Sequence, residues 1–408
     1  MSESKPNVPK LRFPGFTDPW EQRKFKTMVE IERGGSPRPI EAYVTDKPDG
    51  LNWVKIGDAP LLGRYITHTA EKIKLEGLSK TRQVHPGDII LSNSMSFGRP
   101  YIMAVEGCIH DGWLLIRDAN EQFDPTYLCH MLGTPQMLNQ YRMFAAGSAV
   151  NNLNKELVGN AIVPVPSKAE QIAIGEILSD LDDLVALHQR KLDHLKLQKR
   201  GLLQKMFPKD GADVPEIRFP GFTDPWEQRK LGELYQPVSE KNDLSFGIDR
   251  VISVANMYFK DDAKVSDEAY LATYNIMRVG DIAFEGNRSK SFAHGRFVEN
   301  DIGDGIVSHV FRVFRPVGDY DLSYWKYAIN NEVVMGPILT RSTKASTMMH
   351  ELVPKDFLKE AILVPTTMAE QRLIGSFFLD LDDLIALHQR KLEHLKLQKK
   401  ALLQQMFV

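Results

Sequence analysis

Two cysteines occur in 408 residues, Cys108 and Cys129, both in one half of the chain. They form neither a disulfide framework nor a metal-ligand spacing. No apolar run is long enough to span a bilayer. The opening residues, MSESKPNVPK, lack the apolar core of a secretory signal. A cytoplasmic protein with no membrane role is the expectation. Neither sign of charge dominates: 51 basic against 53 acidic residues give a net charge of −2. That balance argues against a protein that holds nucleic acid unaided through bulk charge. No G-x-x-x-x-G-K-[ST] loop is present to cradle a triphosphate, and no His/Cys cluster has zinc spacing. Gly303-Asp304-Gly305 lacks the third glycine of a dinucleotide loop and reads as a turn. The pairs Asp182-Asp183 and Asp261-Asp262 read as solvated charge, not as acid/base machinery.

What is present is repetition. RFPGFTDPWEQRK runs from Arg12 to Lys24 and returns unchanged at Arg218 to Lys230. DLDDLVALHQRKLDHLKLQKRGLLQKMF, from Asp180 to Phe207, returns with five changes as Asp380 to Phe407. The order is block, middle, helix, then block, middle, helix. The middles, Phe25 to Ile162 and Leu231 to Ile362, share little beyond PGDI at 86–89 beside VGDI at 279–282, and Phe97-Gly98-Arg99 beside His294-Gly295-Arg296. Short apolar runs such as DIILS, YIMAV, VISVA and HVFRVF predict strands, and Tyr127 to Phe144 and Leu322 to Met335 have helical spacing. Each middle is read as an α+β domain. The expected boundaries are 1–165, 166–209 for the first long helix, 210–365, and 366–408 for the second.

The long helices have legible starts and seams. Ser167 with Glu170, and Thr367 with Glu370, fit a reciprocal capping box. Each helix could run for about 40 residues, roughly 60 Å. Gly175 and Gly375 inside them mark a kink or close packing. Leu178, Leu181, Val185, His188, Leu192, Leu195, Lys199, Leu202 and Met206 alternate at three and four. Phe378, Leu381, Ile385, His388, Leu392, Leu395, Lys399, Leu402 and Met406 do the same. Such heptads predict a coiled coil. Leu184, Leu187, Leu384 and Leu387 widen the apolar face, where further protein could pack. Each helix is acidic early (Asp180, Asp182, Asp183; Asp380, Asp382, Asp383) and basic late (Arg190, Lys191, Lys196, Lys199, Arg200, Lys205; Arg390, Lys391, Lys396, Lys399, Lys400). Opposite ends attract only if the helices run antiparallel, so an intramolecular antiparallel pair is expected, with His188 beside His388 as a polar break that fixes register.

Two near-identical helices crossing antiparallel would show a partner the same surface twice, so two copies of one partner are expected. Unlike middles would recognise unlike things. With AEQ at 169–171 and 369–371, the Val-Pro residues ahead of them and the RFPGFTDPWEQRK blocks, the chain resembles the specificity subunits of type I restriction-modification systems over nearly its whole length. The resemblance implies two target-recognition domains that read the halves of a split, asymmetric sequence in double-stranded DNA, with the helix pair as a ruler. It implies two methyltransferase subunits and two restriction (motor-nuclease) subunits as partners. S-adenosylmethionine, ATP and Mg²⁺ would serve those partners, and this chain would be non-catalytic, with no cofactor or metal of its own. The chain has no Asn/Asp-Pro-Pro-aromatic string for amino-methyl transfer. A ruler of this kind sets half-sites about one helical turn apart, roughly 34–36 Å.

Base reading needs Arg, Lys, Asn, Gln, Ser or Thr presented to groove edges. The candidates in the first middle are Arg33, Ser36, Arg38, Ser92, Asn93, Ser94, Ser96, Arg99, Ser148, Asn151 and Asn152. Those in the second are Asn287, Arg288, Lys290, Ser291, His294, Arg296, Arg341, Ser342, Thr343 and Lys344. Trp20 and Trp226 recur in both blocks and are read as packing anchors. The first middle holds 14 basic and 15 acidic residues, the second 15 and 19. Weak DNA binding by the chain alone follows, since phosphate attraction has little to work with. The alternative is a non-catalytic two-headed coiled-coil scaffold for protein partners. An enzyme with duplicated catalytic domains is opposed by the dissimilar middles.

Overall fold

The computed structural model describes residues 7–93, 97–145, 152–209, 211–260, 268–346 and 349–407. Contacts divide the chain into Met1–Lys191 with His388–Val408, and Leu192–Leu387. Each unit contains one middle, one copy of the repeated block, and a portion of both long helices.

In the first unit, a five-stranded sheet runs in the order Glu30–Arg33, Trp113–Arg117, Ile89–Ser92, Pro100–Met103, Tyr65–Ile66. A second five-stranded sheet carries Val44–Thr45, Glu71–Ile73, Leu51–Val54, Gly107–Ile109 and Arg82–Val84. In the second unit, Tyr235–Val238, Arg312–Pro316, Ile282–Glu285 and Arg296–Glu299 form a four-stranded sheet, with two-stranded pairs around it. The expected run from Tyr127 to Phe144 is two helices, Pro125–Leu132 and Pro135–Ala145, because Gly133 caps the first and Pro135 opens the next. The run from Leu322 likewise splits into Leu322–Ala328 and Glu332–Ser342, the second capped by the Asn331 side chain on Val333 N.

The sequence scraps shared by the middles prove to be one scaffold. Asp88 accepts two hydrogen bonds from Arg117, at 3.2 and 2.8 Å. Asp281 accepts two from Arg315, both at 2.9 Å. Each aspartate follows a glycine at positive φ, Gly87 and Gly280, and ties the central strand to its neighbour. Gly98 and Gly295, also at positive φ, precede the strands that begin at Pro100 and Arg296. The dissimilar sequences therefore carry the same strand-turn-strand frame.

The repeated block pairs with the end of its own middle: Glu21–Lys24 lies antiparallel to Ile162–Val165, and Glu227–Lys230 to Ala361–Val364. Glu170 is buried and accepts two hydrogen bonds from Arg12, at 2.6 and 2.8 Å, and one from Trp20 Nε1 at 3.1 Å. Glu370 takes the same three from Arg218 and Trp226. This corrects the capping-box expectation. Ser167 and Thr367 still cap the backbone N–H of Glu170 and Glu370, but the glutamates turn inward to the block instead of back to the cap. An ion pair with two parallel N–H···O bonds outweighs a neutral contact to a backbone amide.

The long helices span Lys168–Lys205 and Met368–Gln405. Within the first unit Asp182 pairs with Lys399 and His188 meets His388, and within the second Asp382 pairs with Lys199. Partner numbers fall as residue numbers rise, so the helices pack antiparallel, as the charge pattern required. Val185, Leu192 and Leu392 are buried; Leu181, Leu195, Leu202, Leu381, Ile385, Leu395 and Leu402 are half-buried. Leu184, Leu187, Leu384 and Leu387 remain exposed.

Gly175 and Gly375 serve close packing. A Cβ on Gly175 would lie 2.8 Å from Asp124 Oδ1, and one on Gly375 would lie 2.5 Å from Tyr324 N. Asp124 and Asp321 are the N-caps of the short helices that rest there. Beside them the helix ends close the cores. Phe407 stacks on Tyr127 and meets the edge of Trp20; Phe207 does the same with Tyr324 and Trp226.

Candidate nucleic-acid interface

In the first unit the turn His110–Gly112 gathers the candidate loops. Ser36 Oγ donates to Asp111 Oδ1 at 2.8 Å, and Asn93 Nδ2 and Arg33 Nε donate to Asp111 O at 2.8 and 3.3 Å. Leu153 N donates to Asn93 O at 2.9 Å, which brings the chain after Asn152 to the same place. Arg33, Arg38 and Asn152 are exposed. Asn93 is buried, and its side chain is spent on this internal bond. Ser92 is buried too, and its hydroxyl accepts from Arg99 N at 3.0 Å. Ser94, Ser96, Ser148 and Asn151 lie outside the described residues.

The second unit assembles an analogous pair of segments. His350 N donates to Gly286 O at 2.8 Å, so the loop from Gly286 meets the hairpin Thr343–Ala345 with His350–Leu352. A side chain at 286 would strike His350 O, 2.1 Å from an ideal Cβ, so the approach needs glycine. The His294 and His350 rings pack edge to face at 4.9 Å. Burial first, then His294 and Arg288, push the His350 pKa down, which favours its neutral ring. Asn287, Arg288, Lys290, Ser291 and Lys344 are exposed.

Several candidates turn out to be braces. Arg99 donates to Pro60 O and Leu61 O, at 3.2 and 2.6 Å, and lies over the Tyr101 ring. Arg296 pairs with Glu285 at 2.8 Å and donates to Ala255 O. Arg341 pairs with Glu360. Ser342 is buried at the end of a helix, with its hydroxyl on Ile338 O at 2.8 Å, and Thr343 Oγ1 donates to Leu339 O at 2.7 Å. The stretch from Arg341 read as a loop is thus a helix end followed by a hairpin. Reading by residue type alone missed the His110–Gly112 turn. The Gly at 112 and the acid at 111 were its only signal.

The first middle thus presents exposed Arg33, Arg38 and Asn152, and the second exposed Asn287, Arg288, Lys290, Ser291 and Lys344, around one common scaffold. The fold is a duplicated one: two units, each built on one repeated block and portions of both long helices. Residues 17–197 match the type I restriction modification DNA specificity domain. The chain is 24% identical, over 97% of its length and 95% of the relative's, to a Methanocaldococcus jannaschii protein provisionally named the type I restriction enzyme MjaX specificity subunit. It is 23% identical, over 50% of its own length and 51% of the relative's, to the MjaVIII specificity subunit of the same organism. The crystal structure of a type I restriction-modification S subunit from M. genitalium shares the fold, with a TM-score of 0.61 and 13% identity over 98% of this chain and 99% of that one. Residues 17–197 thus match the type I restriction-modification DNA specificity model, and the chain as a whole resembles type I specificity subunits.

Proposed function

We propose that the chain recognises a bipartite, asymmetric DNA target, one half by each unit. It would recruit two methyltransferase subunits and, in a restricting complex, two motor-nuclease subunits. The observation that carries this reading is the split between what repeats and what differs. The block, the Glu170 and Glu370 clasps, the Asp–Arg braces and the helix seam recur in both units. The exposed polar chemistry does not: Arg33, Arg38 and Asn152 in one, Asn287, Arg288, Lys290 and Lys344 in the other. A duplicated frame with unlike faces suits two unlike half-sites and two like partners.

The exposed cations and amides would divide between phosphate contacts and base edges. Methyl transfer to adenine, with S-adenosylmethionine, and the ATP- and Mg²⁺-dependent motor are assigned to the partner subunits. Among the described residues no helix is long and apolar enough to cross a membrane. The test is a base-resolution methylation map of cells that carry the cognate methyltransferase, with and without this chain. A new split adenine-methylated motif is expected; none, with both proteins soluble and co-purifying, would overturn the reading.

A further inference from the structure

The two units carry equivalent recesses where the helix pair meets the recognition sheet. In the second unit a recess of about 440 Å³ is bordered by Lys199, Arg296 and Lys326. Every one of these cations has its own carboxylate: Asp382 at 2.6 Å, Glu285 at 2.8 Å and Asp301 at 2.6 Å. In the first unit a recess of about 420 Å³ is bordered by Arg64, Arg99 and Lys399. Here two of the three share Asp182, which pairs with Lys399 and lies 3.6 Å from Arg64. Strand pairing places Ser92 where the second unit has Glu285, so Arg99 has lost its carboxylate and rests on backbone carbonyls. His130 stands where Tyr327 stands, near Asp182 as Tyr327 is near Asp382. Its Nδ1 is buried and makes no hydrogen bond.

Two cationic charges are therefore left over at one wall of an open recess. Arg64 and Lys399 are each mostly buried, so water screens them poorly. Burial, then Arg64, lower the pKa of Lys399; burial, Arg64 and Lys399 hold His130 well below its usual pKa, which keeps it neutral. The Gly133 position leaves room for Arg64, whose Nη1 lies 3.1 Å from where a Cβ would sit.

We propose that the recess between Arg64, Arg99 and Lys399 is an anion site for a phosphate group, and that a DNA phosphodiester fills it when DNA is bound. The second clause rests on the function proposed above. One unit then grips its half-site with a phosphate clamp that the other unit lacks.

The test has two arms. In the first, thermal unfolding of the full chain is followed in inorganic phosphate against chloride at matched ionic strength. The account expects a saturable, phosphate-specific rise in Tm. Leu61→Glu adds a carboxylate at the rim, at a residue 87% exposed, and so leaves packing alone. It should weaken the phosphate effect about tenfold, the scale of one added charge at a surface site. Leu197→Glu, exposed on the first long helix and not among the residues that border the recess, should not. No phosphate-specific rise in the native chain, or an equal loss in both variants, overturns the anion site. In the second arm the complex with its methyltransferase binds its duplex over a range of salt. Leu61→Glu should reduce the slope of log K against log[salt] by about one and leave the motif unchanged. An unchanged slope with a phosphate-sensitive Tm overturns the DNA clause and leaves a free-phosphate site. A native complex that recognises no motif, with the Tm effect intact, would instead defeat the proposed function and not the recess.

Discussion

Glu170 and Glu370 are the residues on which each unit closes. Each is buried, yet accepts three charge-assisted or aromatic N–H bonds from the repeated block 144–158 residues away in the chain. Removing one side leaves the other buried and unpaired, which costs about 3–5 kcal/mol. Glu170→Ala should destabilise the first unit by that order, and Glu370→Ala the second, as read by urea unfolding. A loss under 1 kcal/mol in both would show that the clasp is incidental. Glu299 makes a second prediction. Burial first, opposed by the Tyr320 hydroxyl, raises its carboxyl pKa to about 9. Its folded pKa lies above its unfolded one, so its contribution is full below about pH 4.5 and is lost as pH rises toward 9. Glu299→Gln keeps the neutral form at every pH. It should leave stability near native at pH 5 and exceed native at pH 8.5; a constant offset between the two pH values would contradict the shift.

At the scale of the element, the seam was legible because heptad spacing and end-to-end charge are local signals. They identified the antiparallel packing and the meeting of His188 with His388, whose Nδ1 atoms lie 2.8 Å apart. That bond requires one ring to donate and the other to accept, so a proton on the accepting nitrogen would break it. Burial, then His188, Lys191 and Lys391, lower the His388 pKa. A depressed base contributes stability above its unfolded pKa, and that contribution is lost as pH falls below about 6.5. Asp182 with Lys399, and Asp382 with Lys199, pair further along the seam. His188→Leu with His388→Leu should therefore raise Tm and remove its decline between pH 7 and 5.5. An unchanged decline would place the titration elsewhere. The glutamates of the expected capping boxes were misread because sequence shows a residue's neighbours in the chain but not a partner some 150 positions away. The helix breaks at Gly133 and before Glu332 were visible as Gly, Pro and Asn, and were outweighed by apolar spacing.

At the scale of the whole molecule, the frame of the middles was half legible. PGDI beside VGDI, and Phe97-Gly98-Arg99 beside His294-Gly295-Arg296, marked the turns that both units share. The Asp–Arg braces that follow from them could not be seen, because Arg117 and Arg315 carry no local pattern. Strands of two to five residues leave too short a period to read. Among the candidate readers, residue type alone could not separate Arg99 and Arg296, which brace, from Arg288 and Lys290, which are exposed and free to reach a ligand. That division is where specificity would reside, and it is confined to one unit at a time.

The most direct test replaces residues 231–362 with the corresponding middle of another such protein and maps methylation at base resolution in cells that carry the methyltransferase. The account predicts a split motif in which one half changes and the other half and the methylated adenine within it are retained. A motif altered in both halves, or unaltered in either, would contradict the assignment of one half-site to each unit.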